Sequence, residues 1–155
     1  MVVADRARGE ALRLDAWQHI TFDRYPGTGS LGGIFSGLAA ARHHWVIAVA
    51  CDMPFLNLDL MSHLLSLRRD SDAVVPVLEG RPEPTHALYS KVCLPFIEER
   101  LVAGRLKISD FYDEVRVSYV EEAEIDRLDP DHLSFFNINT REDLDVALNL
   151  VTQDK

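Results

Sequence analysis

The sequence predicts an α/β fold: an open, mostly parallel sheet with helices on both faces. Trp45-Val-Ile-Ala-Val-Ala50 is an unbroken apolar run of six residues, as expected of a strand buried on both sides. Segments of helical periodicity fall between this run and the other apolar runs. That β-α-β alternation requires a sheet covered by helices on both faces. The chain has 155 residues, 47% hydrophobic and 26% charged. That suits a single domain over residues 1–155, large enough to bury a core without a disulfide or metal.

The elements follow in order. Met1–Ala4 has the composition of the end of a strand. Leu31–Arg42 places Ile34, Leu38 and Ala41 on one helical face, with Ser30 as N-cap. After the Trp45 strand, Asn57 is placed to cap a helix whose stripe is Leu58, Met61 and Leu65. Asp72–Leu78 is a strand in which Pro76, lacking an N–H, predicts an edge or a bulge. His86–Tyr89 is a short strand. Val92–Ala103 is a helix that Gly104 stops. Val115–Val120 alternates as a strand with one polar face, and the acidic run Glu121–Asp126 is a solvated helix or loop. The last helix opens at Thr140 with Asp143 three residues on, a capping-box pair. Its stripe is Leu144, Ala147, Leu148 and Val151.

Composition narrows the function. The net charge is −9, which opposes binding to nucleic acid or an anionic membrane, since both require a basic footprint. No apolar run reaches the ~18 residues of a membrane span, and the N-terminus lacks a signal-peptide layout. A cytoplasmic protein is expected. The two cysteines, Cys51 and Cys93, have no CxxC spacing and read as core residues. His43 and His44 lie where a helix end favours cations. A small anionic ligand remains open, provided a helix N-terminus, a metal or a few placed basic residues hold it.

In open α/β sheets ligands sit outside the carboxyl ends of the strands. Asp52, in Cys51-Asp-Met-Pro54, directly follows the Trp45 strand and so lies at that edge. It fits a Mg²⁺ ligand, because Mg²⁺ takes one or two carboxylates together with water and phosphate oxygens. An aspartate that turns the chain fits equally well. Asp23-Arg-Tyr-Pro-Gly-Thr-Gly-Ser-Leu-Gly-Gly33 places four glycines before a helix, a loop that either approaches a phosphate closely or simply bends. It is neither a Walker A loop nor GxGxxG. Asn137 and Asn139 flank Ile138, so both project to one side if the segment is extended. They read a substrate's polar groups or set up the Thr140 cap. No arrangement for covalent catalysis is present.

Taken together, Asp23-Arg-Tyr-Pro-Gly27, Ser30-Leu-Gly-Gly33, Cys51-Asp-Met-Pro54, Thr85-His-Ala-Leu-Tyr89 and Asn137-Ile-Asn-Thr140 resemble the molybdenum cofactor guanylyltransferases over nearly the whole chain. The resemblance implies a nucleotidyltransferase (Rossmann-like) fold that transfers GMP from GTP to molybdenum-bearing molybdopterin with Mg²⁺ and releases pyrophosphate. On it, Asp52 is the catalytic, magnesium-binding aspartate. Asp5, Asp23, Gly32 and Gly33 match positions on the nucleotide. Asn137 and Asn139 match positions on the molybdopterin side. Molybdoenzymes or their chaperones are the implied recipients.

The family opens with a strand and a loop of the form LAGGxSxRMGxDK, which wraps and neutralises phosphates. This chain has neither, and begins at what resembles the family's second strand. An artificial start is therefore expected, rather than a real loss. Arg24, Arg81 and Lys107 are the basic residues left to replace the loop's charge. Two unpaired strand edges and poor stability are expected as well. A cytidylyltransferase for the same cofactor, a non-catalytic molybdopterin-binding protein and a residual fold without function stay open as alternatives.

Overall fold

The computed structural model describes residues 1–4 and 19–153. Asp5 lies outside them. The strands are β1 (Val2–Ala4), β2 (Ile20–Phe22), β3 (Trp45–Val49), β4 (Ala73–Leu78), β5 (Arg81–Pro82), β6 (His86–Ser90) and β7 (Val117–Val120). The helices are α1 (Gly29–Ala40), α2 (Leu58–Ser66), α3 (Leu94–Val102), α4 (Glu122–Ile125) and α5 (Arg141–Gln153), with a 3₁₀ segment over Ile108–Glu114. Among the described residues no helix is long and apolar enough to cross a membrane.

The main sheet has the order β3-β6-β4, with β7 on the far side of β4 and β5 closing a hairpin onto β4. β6 is antiparallel to both β3 and β4, while β7 is parallel to β4. β3, β4 and β7 thus run one way, and β6 and the short β5 run against them. β1 and β2 pair in parallel as a separate two-stranded sheet. Helix α1 bridges the two sheets, touching β1, β2 and β3. It approaches β1 so closely that a Cβ on Gly37 would lie 3.2 Å from Val3 Cγ2.

Alternate residues of each strand feed two cores, as a period-2 strand with both faces covered requires. Ala73, Val75, Ala87 and Tyr89 face α1, α3 and the 3₁₀ segment, where Leu31, Phe35, Ile97 and Phe111 are buried. Val74 and Leu88 face the other way, onto Leu60 and Leu64 of α2 and Ile125 of α4. β3 is the exception. Its composition predicts full burial, yet each of its five residues is only half-buried. Among the described residues it pairs with β6 alone.

Several local expectations change. Pro76 is not at an edge: β4 lies between β6 and β7, and Pro76 is in register with Val120. It is tolerated because pairing with β6 ends at Val74 and pairing with β5 begins at Val77. The missing N–H falls in that interval, and the Pro76 carbonyl accepts from the Glu83 N–H at 2.8 Å. Asn57 caps α2 as expected, accepting from the Asp59 and Leu60 N–H groups. The buried face, however, is Leu60 and Leu64, while Leu58 is 74% exposed. In α5 the capping box forms reciprocally between Thr140 and Asp143. Of its predicted stripe only Ala147 is buried. Helix α1 starts at Gly29, not after a Ser30 cap, and Thr28 donates its hydroxyl back to the Tyr25 carbonyl at 2.5 Å. At its other end, Lys91 Nζ donates to the Ala41 carbonyl at 2.6 Å, the task expected of His43 or His44. Cys93 is buried, but Cys51 is exposed.

Candidate functional site

The chain turns sharply where β3 ends. The Met53 N–H donates to the Ala50 carbonyl at 3.2 Å, and the Ala50 N–H donates to Thr85 just before β6. Asp52 sits in this turn, half-buried. Its Oδ1 is shielded from solvent and has no hydrogen-bond partner among the described residues. A buried carboxylate oxygen left bare is costly. A divalent cation is the kind of group such an oxygen suits, so Asp52 fits a Mg²⁺ ligand by its own geometry.

The Asn137–Asn139 segment joins this turn, because the Ile138 N–H donates to the Asp52 carbonyl at 2.8 Å. Asn137 is half-buried and its Nδ2 donates to the Phe135 carbonyl at 3.1 Å. Asn139 is exposed, and its N–H donates to the Asp143 carboxylate at 3.0 Å. That bond and two from Thr140 hold the Asp143 carboxyl below its ordinary range. The Asp52 turn and the asparagine pair, 85 residues apart in the chain, thus meet at one sheet end.

Asp23 is used differently. It follows β2, and its Oδ1 accepts from the Tyr25 N–H at 3.0 Å and the Ser36 hydroxyl at 2.9 Å. The Ser36 Oγ accepts in turn from the Arg24 N–H at 2.8 Å. This network fastens the loop to α1. Gly32 belongs to it: a Cβ there would lie 2.1 Å from Thr28 Oγ1, 3.1 Å from the Tyr25 carbonyl and 3.3 Å from Asp23 Oδ1. Gly33, its neighbour, has nothing within 4 Å of a Cβ.

A cleft of about 550 Å³ opens on the loop's outer side. One wall is Gly27–Ser30 at the start of α1, the opposite wall is Leu106–Ser109, and Pro82 and Pro84 complete the lining. Gly27 and Gly29 adopt φ of +83° and +64°, which only glycine takes readily. The first turn of a twelve-residue helix and Lys107 line one space, with no carboxylate residue among the described lining residues. That combination favours an anion. Of the three basic residues weighed from sequence, only Lys107 lines this cleft. No spacing rule pairs it with Gly27–Ser30, since the two walls meet through tertiary packing that includes α3.

In the sequence His86 is a site candidate only by its place beside a strand. It opens β6 opposite Val49, beside the strand end that carries Asp52. The ring is fully buried and packs on Phe135 with centroids 5.0 Å apart, and among the described residues neither nitrogen makes a hydrogen bond of good geometry. Burial lowers its pKa, while the Asp129 charge and the Ser134 main chain pull the other way. Glu83, between the two cleft prolines, is raised by burial.

Residues 1–117 match the model of the MobA-like NTP transferase domain. The chain belongs to that family. This MobA-like domain is 40% identical over 126 residues to a molybdenum cofactor guanylyltransferase of Desulfosudis oleivorans, covering 81% of this chain and 62% of that one. It is 34% identical over 143 residues to a probable molybdenum cofactor guanylyltransferase of Peptoclostridium acidaminophilum, covering 88% and 65%. The chain therefore spans less than two thirds of the length of these relatives. Its fold superposes on the molybdopterin-guanine dinucleotide biosynthesis protein A of Archaeoglobus fulgidus with a TM-score of 0.84 at 28% identity, covering 97% of this chain and 77% of that one. The nucleotidyltransferase-like fold expected from the resemblance is the one observed.

Proposed function

We propose that this MobA-like domain belongs to an enzyme that transfers GMP from GTP to molybdenum-bearing molybdopterin. A molybdopterin phosphate oxygen attacks the α-phosphorus of GTP, the bond to the β-phosphate oxygen breaks, and pyrophosphate leaves. The observation that carries the reading is the buried Oδ1 of Asp52 at the carboxyl end of β3, unpartnered among the described residues. Two anions must meet in this reaction, so charge neutralisation is the main demand on the site. Mg²⁺ bound at Asp52 would screen the phosphate oxygens. Lys107 and the first turn of α1 supply positive potential in the neighbouring cleft. Asn137 and Asn139 take the molybdopterin side, held to the Asp52 turn through Ile138. Gly33, Gly32 and Asp23 shape the nucleotide loop, and Asp5 is assigned to the nucleotide as well. Two relatives named as guanylyltransferases favour GTP over CTP.

The test is calorimetric titration of the chain with GTP and with CTP, with and without Mg²⁺, followed by pyrophosphate release when molybdenum-bearing molybdopterin is added. Tighter binding of GTP than CTP, strengthened by Mg²⁺, is expected. Asp52→Asn should abolish the Mg²⁺ dependence. A Mg²⁺ effect that is unchanged in Asp52→Asn would overturn the assignment of the metal to this residue.

A further inference from the structure

The two walls of the cleft are both locally soft. Gly27 and Gly29 lie in the left-handed region, which leaves the first wall few intrinsic restraints. The second wall leads into a seven-residue 3₁₀ segment, Ile108–Glu114. Such segments rarely exceed three or four residues, because their hydrogen-bond geometry is poor. Each wall needs an outside restraint, and both find it on α3.

Glu98 holds the first wall. Its Oε1 accepts the Tyr25 hydroxyl at 2.7 Å. The Tyr25 ring stands edge-on to Phe35 of α1 at 5.2 Å, and its carbonyl accepts the Thr28 hydroxyl. Two residues on, Arg100 holds the second wall. Its side chain is only 5% exposed, although it sits on a helix face that otherwise buries Ile97 and Leu101. The guanidinium pairs with Glu114, and Nε–H donates to the Asp110 carbonyl at 3.3 Å. An apolar residue would fill this position more cheaply. Arg100 instead ties Asp110, in the first turn of the segment that Lys107 introduces, and Glu114 at its end to α3.

We propose that α3 sets the width of the cleft, with Glu98 and Arg100 as positioning residues for its two walls. That this width governs phosphate binding rests on the function proposed above. The spacing itself does not.

Nitroxide labels at Ser30→Cys and Leu106→Cys, in a Cys51→Ser background, would report the distance between the walls by pulsed electron resonance. Cys93 stays unlabelled, since burial pushes its thiol up to about 11. Glu98→Ala should broaden the distance distribution, and Glu98→Gln, which keeps an acceptor oxygen, should restore it. The melting temperature should barely move, because the Tyr25–Glu98 bond is exposed. The affinity for GTP with Mg²⁺ should fall about two- to tenfold in Glu98→Ala, the equivalent of one hydrogen bond. An unbroadened distribution in Glu98→Ala overturns the proposal whatever the GTP result. A broadened distribution with unchanged GTP affinity, or with no GTP binding to the parent, upholds the spacing and overturns the phosphate reading of the cleft.

Discussion

Replacing His86 with leucine should stabilise the protein. The imidazole is fully buried, and neither ring nitrogen has a hydrogen-bond partner of good geometry among the described residues. An unpartnered buried polar group costs about 1–3 kcal/mol. Leucine is close in volume and leaves the Phe135 contact apolar, so little cavity or overpacking energy enters. The Asp129 charge and the Ser134 main chain recover part of the penalty in the wild type, which places the gain near the lower end of that range. For a domain of this size each kcal/mol raises the melting temperature by about 2–4 °C. The effect carries a pH signature. Burial depresses the folded pKa of His86 below the ordinary 6.5. The unfolded chain therefore binds the proton first, and the wild type loses stability as pH falls from about 6.5 through the depressed value. Urea denaturation at pH 7.5 and 5.5 checks both parts. The Leu variant should be more stable at pH 7.5, and its advantage should widen at pH 5.5. A loss of more than about 1 kcal/mol at pH 7.5, the worth of one good hydrogen bond, would refute the reasoning, because it would mean that the ring is satisfied.

Gly32→Ala and Gly33→Ala should move stability in opposite directions. The first drives a Cβ onto Thr28 and the Tyr25 carbonyl and should cost about 1–3 kcal/mol; the second meets nothing in a helix interior and should gain about 0.5–1 kcal/mol. Thermal melts of the pair decide it. Arg116 donates three hydrogen bonds to Asp72, one from its backbone, and these hold the Asp72 carboxyl below its ordinary 3.8. Arg116→Met should destabilise by about 1 kcal/mol or less, since its side chain is 68% exposed and water screens the pair. That loss should be present at pH 7 and vanish as acid titrates Asp72 in its folded state, which urea melts at pH 7 and pH 3 would show. Asn57→Ala removes the α2 cap and the bond to the Leu128 carbonyl and should cost about 1–2 kcal/mol at the urea midpoint.

What the sequence revealed of the fold followed from local physics. Asn57 as a cap, Gly104 and the Thr140–Asp143 pair each act on neighbours within a few residues, and each does what its residue type implies. Pro76 and Leu58 misled because their surroundings come from afar. Whether a proline lies at an edge depends on β7, which pairs from more than 40 residues downstream. The face α2 buries is decided by β4, β6 and α4, not by the helix's own periodicity. The candidate site divides in the same way. Asp52 was legible because a carboxylate at a strand's carboxyl end has a position as well as a chemistry. The cleft was not, because Gly27–Ser30 and Lys107 share a wall-to-wall space created by tertiary packing that includes α3.

The two aspartates that sequence set side by side are separated by what the protein itself asks of them. Asp23 Oδ1 accepts two bonds, sits against Gly32 and ties a loop to α1. That oxygen is already engaged by the fold. Asp52 contributes its backbone carbonyl to the Ile138 N–H, yet its buried Oδ1 has no hydrogen-bond partner among the described residues. A fold selected for stability alone would satisfy or replace that oxygen. The buried imidazole of His86, close behind the same strand end, carries a similar penalty. Among the described residues, Ser90 Oγ is unmet at the far end of β6, while Asp52 Oδ1 and both His86 nitrogens are unmet where β3 ends and β6 begins. The structure gives up stability there, and the metal site proposed at the carboxyl end of β3 rests on that cost.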